Sequence, residues 1–434
     1  MPTFSPNAVV PQLVAAQALT QLNRQSVFAK ASLGDYEAAS FQKGDTVTVR
    51  RARITEAEDY DPRSGTSAGS TEPGYSSATL TLEKLFTGGF PVYGQDSSES
   101  RSKYVAEYGE QIASAIGTSN DAYLYSKFRT LTIASSGSVA YNAQPPVGIV
   151  ASQNNGSFTS FDKSLLINAG VLLNTRNVPG RDRYAILSST AAGAFLGDSV
   201  MVEGFAASTV GSGNLLLGGL TPGLFVPRYG FMASSCNSVS SQAGQSDLDS
   251  ATNSQPTLAI ASVAANTSFT EADYASTTYL GAVDITLTVS GSLQNVAVGQ
   301  VAKIAPSSGN TVAYGLILRV ASNVVTLVPF SPSGVKISAT DIVAGTHVFS
   351  IPMIPSISVA YQKESLMFAV RNLAEPSDGS GATMATMADS NSGLAIQVIK
   401  GNYQVDRFLE SQRYAMLTGA LLTDHRKACL MLSL

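Results

Sequence analysis

Hydrophobic and polar positions divide the chain into helical and strand-like stretches. From Gln12 to about Ala31 good helix formers run without Gly or Pro, and Val14, Ala18 and Leu22 recur at i+4. This predicts a helical N-terminal arm, opened by Pro11 and closed before Gly34. Lys43-Gly44-Asp45 reads as a turn. Thr46 to Ile54 alternates Val47 and Val49 against Thr46, Thr48 and Arg50, the period of a strand. Thr79 to Phe86, with Leu80, Leu82 and Phe86, predicts a second strand. Between them, Glu56 to Ser77 has almost no apolar residues, so the pair reads as a long hairpin with a polar loop. A loop of that length is functional or disordered.

A long helix is predicted next. Ser97 or Ser98 can cap it, and Val105, Tyr108, Ile112, Ile116, Ser119 and Tyr123 step by three or four residues toward Phe128. Such a helix would measure ~45 Å. Gly109 and Gly117 lie inside it and weaken it by ~1 kcal/mol each relative to Ala. Something outside the helix is therefore expected to hold it straight. Residues 129–235 read as mixed α/β: a helix from Phe161 to Asn174, a strand from Tyr184 to Leu187, a helix from Thr190 to Leu196 capped by Ser188 or Ser189, and a strand from Leu224 to Ser234.

Period-two runs then dominate: Val283, Ile285, Leu287 and Val289; Val296 and Val298; Leu316, Leu318 and Val320; Val324 to Val328. Residues 236–350 carry nine charged residues. The pattern predicts a small all-β barrel inserted in a larger domain, with one face buried and one wet. Residues 238–268 read as a linker or long loop. The ends of the insertion, near Cys236 and Ile351, are expected to lie together. Leu394 to Lys400 and Tyr414 to Leu422 read as strands. Asp424-His425-Arg426 reads as a turn before the apolar Ala428 to Leu432. The fold class is α+β.

Composition narrows the chemistry. The 434 residues are 44% hydrophobic and 13% charged, about half the usual charge, which excludes a disordered chain. A net charge of −4 gives no global attraction for nucleic acid. Two histidines, His347 and His425, and two cysteines, Cys236 and Cys429, supply no zinc cluster and no disulfide framework. Both cysteines read as buried free thiols. No opening secretory signal and no apolar stretch of ~18 residues predict a membrane protein.

Gly65-Thr66-Ser67-Ala68-Gly69 matches a nucleophile elbow, but Pro62 and Pro73 flank it where a strand and a helix are required, so it reads as loop. Ser100 to Lys103 and Ser160 to Lys163 match S-x-x-K without the partner motifs of that enzyme class. The acidic run Glu56, Glu58, Asp59 and Asp61 lacks calcium-loop spacing and reads as a solvated face. Arg50, Arg51 and Arg53 precede it without interleaved aromatics, which favours salt bridges within or between chains over nucleic-acid binding. No catalytic residue, cofactor site or metal site is assigned, and an enzyme is not expected.

The order of elements resembles the major capsid protein of tailed bacteriophages, with its HK97-like fold. Within that class it is similar to the short-tailed Salmonella phage coat type with an inserted β-barrel. The residues that carry the resemblance are Phe28-Ala29, Lys43 to Arg50, Val298-Gly299-Gln300-Val301, Val328-Pro329, Gly393 to Ile396, Asp406-Arg407-Phe408 and Gly419 to Leu422 with Asp424 and Arg426. The resemblance implies an N-terminal arm (1–44), an extended hairpin loop (45–95) and a peripheral domain with a spine helix (96–160). It further implies a first part of an axial domain (161–237), the inserted barrel (238–350) and closing axial and peripheral strands (351–434).

It also implies an icosahedral virion shell around double-stranded DNA, built by this chain in hexamers and pentamers and assembled in the host cytoplasm. Separate scaffolding and portal proteins would assist, and decoration proteins could be added. DNA would be contacted only weakly, and no membrane is involved. Arg50, Arg51, Arg53, Glu56, Glu58, Asp59 and Asp61 would then form inter-subunit contacts. The arm starts within ~10 residues of Met1, so no scaffolding leader is expected within the chain. Ile54 to Glu83 contains no Lys, so no isopeptide cross-link from the hairpin is expected. An encapsulin-like compartment shell and a Ser/Thr-rich surface or adhesion protein remain the alternatives.

Overall fold

The computed structural model describes residues 6–52, 75–93, 98–129, 147–154, 157–197, 226–252, 255–267, 270–271, 278–279, 281–306, 313–374, 382–389, 392–401 and 409–434. In the first part of the chain, helix α1 (Pro6–Gln25) leads into β1 (Leu33–Ser40). The hairpin strands β2 (Thr46–Ala52) and β3 (Tyr75–Thr81) follow, then β4 (Lys84–Tyr93) and the 29-residue helix α2 (Ser98–Ser126). Next come β5 (Gly148–Ala151), a ribbon of β6 (Gln153–Asn154) and β7 (Ser157–Phe158), α3 (Lys163–Thr175), β8 (Arg183–Leu187) and α4 (Ser189–Leu196). The turn Tyr229–Gly230, with both φ positive, joins β9 (Val226–Arg228) to β10 (Phe231–Ser235).

The barrel segment holds β11 (Thr257–Asn266), the short β12 (Thr270–Glu271) and β13 (Thr278–Tyr279), β14 (Ala282–Leu287), β15 (Val301–Pro306), β16 (Ala313–Ala321), β17 (Val324–Phe330) and β18 (His347–Ser350). The described part of the tail holds β19 (Ser356–Gln362), β20 (Leu366–Asn372), β21 (Thr383–Asp389), β22 (Leu394–Lys400), β23 (Leu409–Leu422) and β24 (Ala428–Ser433), with 3-10 turns at Lys363–Ser365 and His425–Lys427.

Among the described residues these strands make two six-stranded sheets, a closed barrel and the two-stranded ribbons β2-β3, β6-β7 and β12-β13. The first sheet runs β1-β20-β23-β22-β21, with β4 along the 14-residue β23; the second runs β5-β24-β19-β8-β10-β9. The barrel order is β11-β14-β17-β16-β15-β18. The α+β class and the closed barrel agree with the sequence pattern.

The central strands of the second sheet are buried on both faces. Ala185, Leu187, Ala233, Cys429 and Met431 meet Leu165, Leu166, Leu173 and Phe195 of α3 and α4. Ile186, Val359, Tyr361, Leu430 and Leu432 of the other face join a large core with Leu22, Phe28, Tyr125 and Phe128. Ser188 caps α4, accepting the Ala191 N–H at 3.1 Å. Both cysteines are free and buried.

Several local expectations are corrected. Helix α1 begins at Pro6, a proline suited to the first turn, and stops at Gln25 rather than near Ala31. It stops because the buried Asp121 carboxylate accepts the Val27 N–H at 2.7 Å, removing that amide from the helical ladder. The second hairpin strand is β3 rather than Thr79 to Phe86. At Leu82, whose N–H donates to the Asp45 carbonyl at 2.9 Å, the chain leaves the hairpin for the first sheet.

Val296 and Val298 lie in an irregular link ending at Gly299, where φ is +86°. The supposed linker supplies β11, whose Leu258 and Ile260 are buried while Ala259 and Ser262 are exposed; small residues obscure that alternation.

The barrel is not wet on one face throughout. Ala302, Ile304, Ala313, Ile317, Val325 and Leu327 fill its interior. Val301, Tyr314, Leu316, Leu318, Val328 and Phe330 point the other way into the core of the body. The two ends of the insertion lie side by side: Gln242 and Ile354 exchange backbone hydrogen bonds at 2.8 and 2.9 Å.

Candidate assembly interface

The hairpin β2–β3 pairs within itself, Thr46 opposite Thr81 and Ala52 opposite Tyr75; among the described residues it joins no other sheet. Its base is fixed first by a turn. The Gly44 N–H donates to Leu82 at 2.9 Å, and the Asp45 carboxylate accepts the Gln42 N–H at 2.7 Å. At Gly44 φ is +103°, a conformation glycine adopts without strain. Apolar burial fixes it next: Leu80 and Leu82 pack on Ala369 and Leu417 of the first sheet, with Phe41, Val47, Met367 and Leu421 around them.

The hairpin root also contacts the long helix. The Tyr123 hydroxyl accepts the Ala420 N–H at 3.1 Å and donates to Glu83 at 3.2 Å. Burial and the neighbouring Glu83 charge push the Tyr123 phenol well above its ordinary range. Lys127 reaches Glu83 at 3.0 Å and lies 4.8 Å from the Tyr123 ring centroid. Glu83 thus ties the link between β3 and β4 to the last turns of α2.

Glycines explain how the helix, about 43 Å long, lies flat on the β4–β23 pair. A Cβ on Gly88 would meet the Ile112 side chain, and one on Gly109 would meet the Tyr414 hydroxyl. Gly117 makes the same room for Leu22, Gln25 and Ser26 of the arm. Two helix-weakening glycines are therefore packing sites, and the sheet and arm are what hold the helix straight. The glycine pair Gly88-Gly89 also opens a groove of about 400 Å³ bounded by Phe90, Pro91, Ser411, Gln412 and Arg413.

At its far end the helix meets the barrel. Arg129 donates to the Gly299 carbonyl at 3.2 Å, to Ser240 at 3.1 Å and to the Gln242 side chain at 3.1 Å. The Gln242 amide in turn exchanges bonds of 2.8 Å with both backbone groups of Val301 and donates to Pro352 at 3.2 Å. Arg129 and Gln242 therefore join helix, barrel and both ends of the insertion.

Of the residues expected to form inter-subunit contacts, Arg50 and Arg51 lie in β2, opposite Ser77 and Ser76. Arg53, Glu56, Glu58, Asp59 and Asp61 lie outside the described residues, as does the Gly65–Gly69 motif. The sequence reading passed over Gly88, Arg129 and Gln242, and it gave Glu83, Tyr123 and Gly419 no part in these contacts. Its available signal was polar residues or glycines on otherwise apolar stripes.

Among the described residues no group of three His, Cys, Asp or Glu side chains could hold a metal ion. No described helix is long and apolar enough to cross a membrane.

No family model matches the chain, and no curated protein matches it. Solved structures do. The capsid of the cyanophage P-SCSP1u matches with 10% identity and a TM-score of 0.44, over 95% of this chain and 89% of that one. The mature capsid of bacteriophage PhiM1 matches with 11% identity and a TM-score of 0.42, over 94% and 87%. A virus-like particle from Pyrococcus furiosus matches with 5% identity and a TM-score of 0.38, over 96% and 97%.

Proposed function

We propose that this chain is the major capsid protein of a tailed double-stranded DNA phage, with an HK97-like fold, assembling into an icosahedral shell. One observation carries the reading. A two-stranded hairpin stands on the first sheet by its base, with Leu80 and Leu82 as anchors, and among the described residues no third strand pairs with it. An isolated two-stranded hairpin is marginal in water. Its stable setting is against another copy of the chain.

Supporting this are α2 laid along β4 and β23, and a barrel inserted where Gln242 meets Ile354. In this reading residues 1–44 are the arm, 45–95 the extended loop, 96–160 the peripheral domain with α2 as spine, and 161–237 with 351–434 the axial and closing peripheral parts. Residues 238–350 are the inserted barrel. The shell is built from hexamers and pentamers in the host cytoplasm. Scaffolding and portal proteins act as separate partners, and decoration proteins can bind the finished shell.

The subunit performs no catalysis and uses no cofactor. Arg50, Arg51, Arg53, Glu56, Glu58, Asp59 and Asp61 take part in contacts between copies of the chain. With a net charge of −4, the shell holds DNA only weakly, which suits packaging and release.

Electron microscopy of the concentrated full chain tests the reading. Closed shells or curved shell fragments are expected. A chain that stays monomeric at every concentration overturns it, and tight, salt-sensitive DNA binding by the purified chain overturns the weak-DNA part.

A further inference from the structure

A buried polar cluster lies where the arm turns back onto the long helix. Asp121 of α2 is fully buried, on the stripe that carries Ala113, Ile116 and Leu124 inward. One of its oxygens, Oδ2, accepts the Val27 N–H at 2.7 Å and is 3.9 Å from the Cys236 thiol. The amides of Phe28 and Ala29 face the same carboxyl. The other oxygen, Oδ1, has no hydrogen-bond partner among the described residues, nor have Ser26 Oγ, both polar atoms of Asn120 and the Tyr361 hydroxyl.

The groups facing this carboxyl come from three elements. Lys30 follows the arm turn; it is half-buried, feels both Asp121 and Asp389, and has its own ammonium destabilised by burial. Among the described residues no cation reaches ion-pair distance of Asp121. Cys236 follows β10, its thiol pushed up to about 12 by burial and then by the Asp121 charge. Tyr361 of β19, whose neighbour is Tyr184 of β8, is raised by burial and then by Asp121. Both remain neutral at ordinary pH.

The geometry makes the two charge states unequal. A carboxylate here would leave Oδ1 charged, dry and without a donor. Protonation at Oδ1 removes that charge and leaves Oδ2 free to hold Val27. We infer that Asp121 is a proton-operated clasp at the root of the N-terminal arm: neutral, it keeps the turn Val27–Ala29 docked on the long helix, and ionised, it favours loosening of that turn toward water.

Burial pushes the Asp121 carboxyl up to about 7, against the pull of the three backbone amides. In the unfolded chain an aspartate titrates at about 3.9. The folded chain thus binds this proton more tightly. The stability it contributes is fully present below the unfolded value and is lost as pH rises through about 7. The turn does not come away entirely, because Phe28 packs against Tyr125, Phe128 and Tyr361 with ring centroids 5.9 to 6.3 Å apart.

The inference is independent of the proposed function. Amide hydrogen exchange of residues 26–31 in the full chain, corrected for intrinsic rates, tests it at pH 5.5 and 8.5. Protection about tenfold higher at pH 5.5 is expected, and Asp121→Asn should remove most of that difference. Equal protection at both pH values, or a pH effect unchanged in Asp121→Asn, overturns the inference. If the variant does not fold, the wild-type chain decides. An infrared band of a protonated carboxyl should vanish between pH 6 and 8 in step with the loss of protection, and its absence at pH 6 overturns the clasp.

Discussion

The carbonyl of Thr81 sits where a side chain on Gly419 would begin. The last residue of the hairpin thereby crosses β23 in backbone contact, and Leu80 and Leu82 drop onto Leu417 and Ala369. Among the described residues the hairpin joins no other sheet, so its base depends on this seat.

Gly419→Ala should therefore lift the hairpin base. Overpacking of this kind costs about 1–3 kcal/mol. Denaturant unfolding of the full chain should show a lower midpoint with unchanged slope, and assembled particles should become fewer. An alanine variant as stable as the parent would show that the backbone contact is not tight.

Tyr123→Phe removes the acceptor of the Ala420 N–H and leaves that donor buried. The expected loss is about 1–3 kcal/mol. Lys127→Gln breaks a partly exposed ion pair with Glu83, whose side chain is 47% exposed, so its expected loss is only about 0–1 kcal/mol. Thermal unfolding of the two variants should rank Tyr123→Phe as the more damaging; the reverse order would mean that Glu83, not Ala420, fixes the helix to the hairpin root.

Much of this arrangement was legible in the residue pattern. The long helix, Leu394–Lys400, the α4 cap at Ser188 and the barrel strands around Ile285 and Leu327 all follow from period and capping alone. The arm's end did not, because it is set by Asp121, 94 residues away from Val27. Strand β19 was missed although Ile357, Val359 and Tyr361 alternate. Its small polar residues are buried too, and Ser356 and Ser358 are satisfied by Ser188 at 2.6 and 3.1 Å. The packing glycines around the hairpin root and the long helix were illegible for a similar reason: Gly88, Gly109 and Gly419 look like weak points until the atoms that fill their missing side chains are seen.

Gln242→Ala should loosen the barrel from the body. The residue is 5% exposed, and loss of its side chain strands the amide and carbonyl of Val301 and one donor of Arg129. A loss of about 2–4 kcal/mol is expected, since buried unsatisfied groups cost about 1–3 kcal/mol each and relax partly. Gln242→Glu keeps the shape and the acceptor but loses the donor to Val301 and Pro352, so it should not restore stability. Full rescue by Glu would show that the acceptor shared by the Val301 N–H and Arg129 matters and the donor does not.

The barrel offers the sharpest test, because its strands are buried on two sides. Ile285 faces the barrel interior among Leu258, Ile304 and Leu327, whereas Leu316 faces the body core beside Tyr314 and Val328. An aspartate at either place buries an unpaired charge at a cost of several kcal/mol, and both variants of the full chain should fail to fold. The isolated segment 238–350 separates them. There Ile285→Asp still destroys the interior, but Leu316→Asp places its charge in water. The unmodified segment leaves Val301, Tyr314, Leu316, Val328 and Phe330 uncovered, a contiguous apolar face that favours association. It should therefore aggregate or bind an apolar dye, and Leu316→Asp should make it more soluble while keeping a cooperative thermal transition. A monomeric, dye-free wild-type segment would mean that the face is covered within the barrel itself, and loss of the transition in Leu316→Asp would place that residue in the interior.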